Sequence, residues 1–411
     1  MANGIDIISD TTGLRIADLL GEQNAILRVA NASSIAAVAS DLKTIQQIVK
    51  NGYASQLFNV GDQIIVPWRD TVAGTDYTLP FDIVHFGNVE LQDGETVPGM
   101  FLQSHYAAPF GVQFSHQQAF YKVGEEPLAA GTYYLTFATS WGNNVVANDN
   151  VCFTLTQDAP AGSLLVGFYG APDQVYTNWK VYVYASDRKT ILETVDSVTK
   201  EARGKYLGLW DAFGNNKYGL NGFQRTAYGN NRWSVSALRQ FLNSAKGANE
   251  WWEPQTDFDI VPDQINKAGW LTGFGEDFLS VLGKVKVKTA LNTVVNAEKD
   301  LGFDETFDKF FVPSLEERHY TPQIAGEGEI WDYWKRASES ATPLRTGVAY
   351  SNMITYGVEN HVAAQNVRFR SANRGSAINV WLANTSGGAT GYANTSGASS
   401  AQRFAPACVI C

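Results

Sequence analysis

Hydrophobic positions early in the chain repeat with a helical period. Between Ser33 and Gly52, the residues Ile35, Val38, Leu42, Ile45 and Val49 are spaced 3, 4, 3 and 4 apart, a heptad seam about two heptads long. Ser34 is placed to cap its start and Gly52 to end it. So short a seam fits two fates, packing on its own domain or joining copies of the chain, and these five residues are the self-association candidates. Residues 1–60 therefore read as a helical leader that anchors and oligomerises the protein.

From about Val60 the period shortens to two. Segments 63–68, 81–84, 132–137, 152–156 and 180–184 alternate or run apolar between Gly, Pro, Asn and Asp punctuation, which predicts strands. Turn-then-strand units at 128–133 and 159–165 stand about thirty residues apart. Strands so spaced predict an antiparallel, sandwich-like or jelly-roll-like domain over 61–205, with Cys152 a small buried hydrophobe in mid-strand.

Beyond Leu207 regular signals thin out. One amphipathic helix is predicted over 234–243, where Val235, Leu238, Phe241 and Leu242 share a face, and a strand over 281–287. Eight of the eleven tryptophans lie between Trp210 and Trp381, so packed aromatic rings must hold much of this region. The stretch 371–400 is almost pure Ala, Asn, Ser, Thr and Gly around Trp381 and Tyr392. It contains an echo, Ala383-Asn-Thr-Ser-Gly and Ala393-Asn-Thr-Ser-Gly, and leads into the apolar segment 403–410, which reads as a final strand docked in a core. The expectation is a hairpin with both Asn-Thr-Ser-Gly pieces as ordered turns rather than a disordered tail.

Composition narrows the function. The 411 residues are 45% apolar, 18% charged and 12% aromatic, too apolar for disorder, and the net charge of −10 without a Lys/Arg block disfavours nucleic acid or an anionic membrane. No run reaches the roughly 18 apolar residues of a membrane span, and the start Met1-Ala-Asn-Gly lacks signal-peptide character. Phosphate-loop, dinucleotide-binding, nucleophile-elbow and His-Glu-x-x-His motifs are absent.

Several motifs occur in order over residues 221–411. They are Tyr228-Gly-Asn-Asn-Arg-Trp-Ser, Leu238-Arg-Gln-Phe-Leu-Asn-Ser244, Trp251-Trp252, Gly269-Trp-Leu-Thr-Gly-Phe274 with Asp277-Phe-Leu279, Thr306-Phe-Asp-Lys-Phe-Phe-Val-Pro-Ser314, Val367-Arg-Phe-Arg-Ser371, Trp381 and Arg403-Phe-Ala-Pro-Ala407. Together they resemble an uncharacterised family of domains from tailed phages and prophages, related to the C-type-lectin fold of formylglycine-generating enzymes and phage variable adhesins. The resemblance implies a C-type-lectin-like domain (206–411), which joins the helical leader (1–60) and the β-rich, sandwich-like middle (61–205) read from the pattern in an α+β, β-rich chain. It also implies loops near the C-terminus that face a ligand, placing candidate receptor contacts at Asn373, Arg374, Asn379, Trp381, Asn384, Tyr392, Asn394 and Ser399. An Asn, Ser and Tyr mixture suits such contacts, because aromatic rings supply area at low entropy and small polar groups adapt their hydrogen bonds.

The expected function is thus a non-enzymatic structural protein of a phage virion, of the head-fibre, tail-fibre or decoration type. It would be made in the bacterial host cytoplasm and attach the particle to a host-surface protein or glycan. Expected partners are other capsid or tail proteins and copies of itself, a trimer being the count to test. The alternatives are a purely structural decoration or baseplate component, or an oxidase using Cys408 and Cys411. A Cys-x-x-Cys without an adjoining helix is a weak redox signal. Asp257, Asp259 and Asp263 read as a solvated loop, Glu253-Pro-Gln-Thr-Asp257 falls short of a calcium-lectin motif, and Glu316-Glu-Arg-His319 sets an acid beside a base. No metal and no cofactor are expected.

Overall fold

The computed structural model describes residues 41–116, 120–123, 125–136, 150–168, 180–187, 190–195, 199–201, 223–224, 231–255, 259, 261–291, 302–339, 353–373, 379–387 and 393–411. Helix α1 (Leu42–Lys50) starts where Asp41 accepts a hydrogen bond from the Thr44 amide at 3.1 Å; the expected cap Ser34 lies outside the described residues. It ends as the sequence predicts, with Gly52 at φ +76. The Gly52 amide donates to Val49 O and the Tyr53 amide to Ile48 O, the paired bonds of a Schellman motif. A one-turn α2 (Ala54–Leu57) follows.

Strands β1 (Gln63–Asp70), β2 (Thr75–Glu90) and β3 (Thr96–Ser104) form an antiparallel meander. In β1, Ile64, Val66 and Trp68 point inward while Ile65, Pro67 and Arg69 face out, the alternation expected of a strand covered on one side. The β2–β3 register shifts between Ile83 and His85, so Val84 is a bulge that re-aims the residues after it. After β4 (Val112–Gln113) come seven strands of a second group: β5 (Phe120–Lys122), β6 (Gly131–Thr136), β7 (Asn150–Leu155), β8 (Leu164–Phe168), β9 (Lys180–Tyr184), β10 (Ile191–Val195) and β11 (Thr199–Glu201). With β12 (Phe223–Gln224) they make two antiparallel sheets, ordered β10-β9-β8-β5-β12 and β11-β7-β6.

The remaining chain adds α3 (Ala237–Leu242), α4 (Glu276–Leu279), the hairpin β13 (Val285–Ala290) with β14 (Phe303–Asp308), β15 (Phe310–Phe311), α5 (Asp332–Glu339), and the small pair β16 (Thr355–Tyr356) with β17 (Ala364–Gln365). It closes with β18 (Val367–Ala372), β19 (Asn379–Ala383), β20 (Ala393–Gly397), β21 (Ala401–Gln402) and β22 (Ala407–Ile410). Strand β22 is the docked final strand that its apolar run predicts. It pairs with β3 on one side and β15 on the other, giving the sheet order β1-β2-β3-β22-β15.

That sheet joins strands from both sides of the expected boundary near residue 205. Residues 63–104 share one ladder with 310–311 and 407–410, and one hydrophobic cluster runs from Ile45 to Phe114 and from Trp233 to Cys411. Strands 120–201 are an excursion between the two halves of this body. The tryptophans hold it as expected: Trp68 packs 4.5 Å from Trp270 and donates through Nε1 to Trp270 O at 3.1 Å. Trp270 in turn meets Phe404 edge-on at 5.5 Å.

Three of the five heptad-seam residues are described. Ile35 and Val38 lie outside the described residues. Ile45 and Val49 are each 1% exposed in the chain's own core and Leu42 packs partly against it, so these three already have an intramolecular partner. Among the described residues no helix is long and apolar enough to cross a membrane.

Candidate functional site

The C-terminal sheet is ordered β18-β19-β20, and two buried side chains set its shape. Arg368, on β18, reaches across the sheet: its Nη2 donates to Gly397 O at 2.6 Å and Ser400 O at 3.0 Å, and Nη1 to Val380 O at 3.4 Å. Burial pushes this guanidinium down to about 9, still charged at neutral pH. Asn231, fully buried, donates through Nδ2 to Asn379 O at 2.7 Å and Asn373 O at 3.3 Å, closing the base of the β18–β19 connection. On the far side Gln113 donates to Ser399 O at 2.7 Å, and the Phe114 amide to Ala398 O at 2.9 Å. Residues 397–400 are therefore held through their carbonyls.

The predicted contact residues fall into separate places. Asn379 and Trp381 stand two apart on β19 and are half-exposed, while Val380 and Leu382 between and beyond them are buried. Trp381 donates through Nε1 to Gln323 Oε1 at 3.0 Å. Ser399 is exposed in the turn that Arg368 and Gln113 hold. Asn384 shapes a turn: its Oδ1 accepts from the Ser386 and Gly387 amides at 3.0 and 3.1 Å. Asn373 is half-buried, with its amide bonded to Asn379 O at 3.1 Å. Arg374 and Tyr392 lie outside the described residues. Asn394 is registered across from Leu382, whereas position 395 stands across from Trp381. The second Asn-Thr-Ser-Gly lies in strand β20 and is not the expected turn, because all four of its residues, with Ala393, pair with β19.

A second concavity has no counterpart in the sequence analysis. A cleft of about 390 Å³ lies between β2, β13, β14 and the loop before α5. Its wall carries Lys286, whose Nζ sits 2.7 Å from Glu305 and 3.3 Å from Glu90. The hydrogen bond to Glu305, aided by Glu90, holds this ammonium above the usual lysine range. Its floor is Arg370, on β18 two residues after Arg368, bidentate to Glu317 at 2.5 and 2.8 Å. Glu317 holds the Arg370 guanidinium above its ordinary value against the opposing effect of burial. No spacing in sequence links positions 85, 286, 317, 327 and 370, so only the folded chain brings them together.

The remaining sequence candidates resolve into local bonding. Asp259 is buried and its Oδ2 accepts from the Gln255 amide at 2.6 Å, whereas Asp263 is exposed and its Oδ2 accepts from Gln113 Nε2 at 3.2 Å; Asp257 lies outside the described residues. Glu253 pairs with Lys246 at 3.2 Å. Glu316 accepts the Gly326 and Glu327 amides, while His319 bonds Ser338 Oγ at 2.6 Å, so this acid and base serve different contacts. Cys408 is fully buried, and burial pushes its thiol well above the ordinary range; burial raises that of Cys411 too, which borders a cavity of about 850 Å³. Such shifts oppose thiolate chemistry. Three residues along an extended chain also span ~10 Å, beyond disulfide reach. Among the described residues no group of three or more His, Cys, Asp or Glu is placed to hold a metal ion.

Residues 214–410 match the model of a domain of unknown function, DUF6273. The matched span covers nearly the same residues as the motifs set out above, and its last strand completes a sheet with β1–β3, which lie outside it. Comparisons with curated proteins and with solved structures return no match.

Proposed function

We propose that the chain is a structural protein of a bacteriophage particle that displays a C-type-lectin-like module for attachment to a host-surface protein or glycan. In this reading the module comprises residues 63–113 with 231–411, and the excursion 120–201 is a sandwich-like spacer. The observation that carries the proposal is the way a low-complexity stretch is fixed: Arg368, Asn231 and Gln113 bind its carbonyls from beneath. Asn379, Trp381 and Ser399 remain partly or fully exposed on it. Contact residues on strands and turns held by a rigid scaffold are the usual construction of a recognition surface. Weak contacts of this kind gain avidity from homo-oligomerisation and particle copy number.

The test is immunogold electron microscopy of particles from the producing strain with antibodies against residues 371–411. Label on head or tail projections is the expected result. Intact particles without label, and without peptides of this chain in their digest, overturn the virion assignment. Light scattering that returns a clean monomer at micromolar concentration removes the homo-oligomer.

The bond from Trp381 to Gln323 favours a second reading, a decoration or baseplate component in which this face only packs. Trp381→Ala separates the two. Lost host binding with an unchanged unfolding midpoint supports attachment, whereas unchanged host binding with impaired particle assembly supports packing.

A further inference from the structure

The chain runs without regular structure from residue 321 to 331, between the buried Tyr320 and α5. This loop is fastened at its end by His85, which the bulge at Val84 re-aims from β2. His85 Nδ1 lies 3.0 Å from Asp332 Oδ2 and Nε2 lies 3.3 Å from Glu329 Oε2. Neutral imidazole has one N–H, so only the protonated ring donates to both carboxylates. Loss of that proton turns one contact into a lone pair facing a negative charge. Histidine is the side chain that ordinarily changes charge between about pH 5 and 8.

The same loop carries Glu327, 3% exposed. Its carboxyl accepts the Ala290 amide at 3.0 Å and bonds Ser371 Oγ. Burial pushes it up to about 7, against the opposing pull of Arg370, Ser371 and the Ala290 amide. Raising the pH toward that value therefore puts a second negative charge beside Glu317 in a buried site. The other charged groups around the cleft are Glu90 on β2, Lys286 and Lys288 on β13, Glu305 on β14, Glu316 and Glu317 before the loop, and Arg370 on β18. Lys286 is paired with Glu90 and Glu305, and Arg370 with Glu317. Facing His85 itself are the Phe101 ring at 5.5 Å and the two carboxylates.

We propose that residues 323–332 form a pH-sensitive strap over the cleft, closed while His85 and Glu327 are protonated and loosened when they lose their protons. Both groups act with the same sign. In acid the imidazolium grips Glu329 and Asp332 while Glu327 is neutral. The neutral ring can donate to only one of the two carboxylates, and Glu327, once ionised, is an anion within its pocket. The backbone anchors from Gly326 and Glu327 to Glu316, and from Trp331 to Glu317 O, confine the loosening to this loop. Gln323, at the other end, is the acceptor for Trp381, so the strap reaches the proposed recognition face. The strap itself does not rest on that reading.

Hydrogen–deuterium exchange of the full chain at pH 5.5 and 8.5, corrected for intrinsic exchange chemistry, tests it. Peptides covering 323–332 are expected to exchange about tenfold faster at the higher pH, while β1–β3 stay unchanged. In E329Q a neutral His85 can donate to Asp332 and accept from the new amide, so the strap stays closed at high pH. Glu329 is 84% exposed in its side chain, so this variant is expected to fold. The double variant E327Q/E329Q is expected to lose more than half of the pH difference. A wild-type protein with no difference between the two pH values, or a double variant that keeps more than half of it, overturns the strap. Neither result bears on where the protein resides.

Discussion

The pentapeptide Ala-Asn-Thr-Ser-Gly occurs twice within fifteen residues and folds in two ways. At 383–387 it leaves β19 and turns, with Asn384 Oδ1 bonded to the Ser386 and Gly387 amides and Gly387 at φ +35. At 393–397 it is the whole of β20, paired residue for residue with β19, and Ala393 stands directly across from Ala383. Local preference is the same for both copies, so it cannot distinguish them. The difference lies in what each meets: Gly387 presses on the Ile354 backbone, where no side chain fits, whereas Gly397 O is taken by Arg368. Polar turn-formers become a strand when a neighbouring strand and a buried donor satisfy their backbone better than their own side chains do.

Removing that donor is the strongest way to break the contrast. Arg368→Met strips the carbonyls of Gly397 and Ser400 of a buried partner and is expected to lower stability by about 3 kcal/mol, read by urea denaturation, with exchange protection lost first at 393–400. The two glycines sharpen it further. Gly387→Ala puts a Cβ against Ile354 at a positive φ and should destabilise by about 2 kcal/mol. Gly397→Ala, with Ser400 Oγ at 3.6 Å and Ser399 Oγ at 3.9 Å from the added carbon, both ordinary contacts, should change stability by no more than about 0.5 kcal/mol, most simply as a small gain. Equal effects at the two positions would mean that the copies do not differ as described. The smallest of the destabilising effects is expected for Asn384→Ala, which loses two turn bonds and about 1 kcal/mol of thermal stability.

Much of the fold was legible. The alternation over 63–68 marks β1, the apolar run at 403–410 marks a docked final strand, segment 180–184 coincides with β9, and Gly52 ends α1. The partners of these elements were not legible. Nothing in the local pattern says that residues 407–410 pair with 100–103, some three hundred positions away and across the boundary drawn at 205. The seam residues Ile45 and Val49 illustrate the same limit, since a heptad period marks one apolar face and does not say which surface covers it. In the candidate site, Trp381 and Asn379 were visible as polar-aromatic loop chemistry. The cleft of His85, Lys286, Glu327 and Arg370 was invisible, because its members come from four separate segments of the chain.

The sequence by itself determined the class of structure: antiparallel strands with few helices, an aromatic-rich core and a docked final strand, all consequences of side-chain period, turn residues and ring count. Tertiary structure alone decided which copy of the pentapeptide is strand, which segments share a sheet, and which charged groups meet. Those outcomes depend on contacts between residues far apart in the chain. A buried guanidinium or carboxylate is stabilised only by partners that no local pattern specifies.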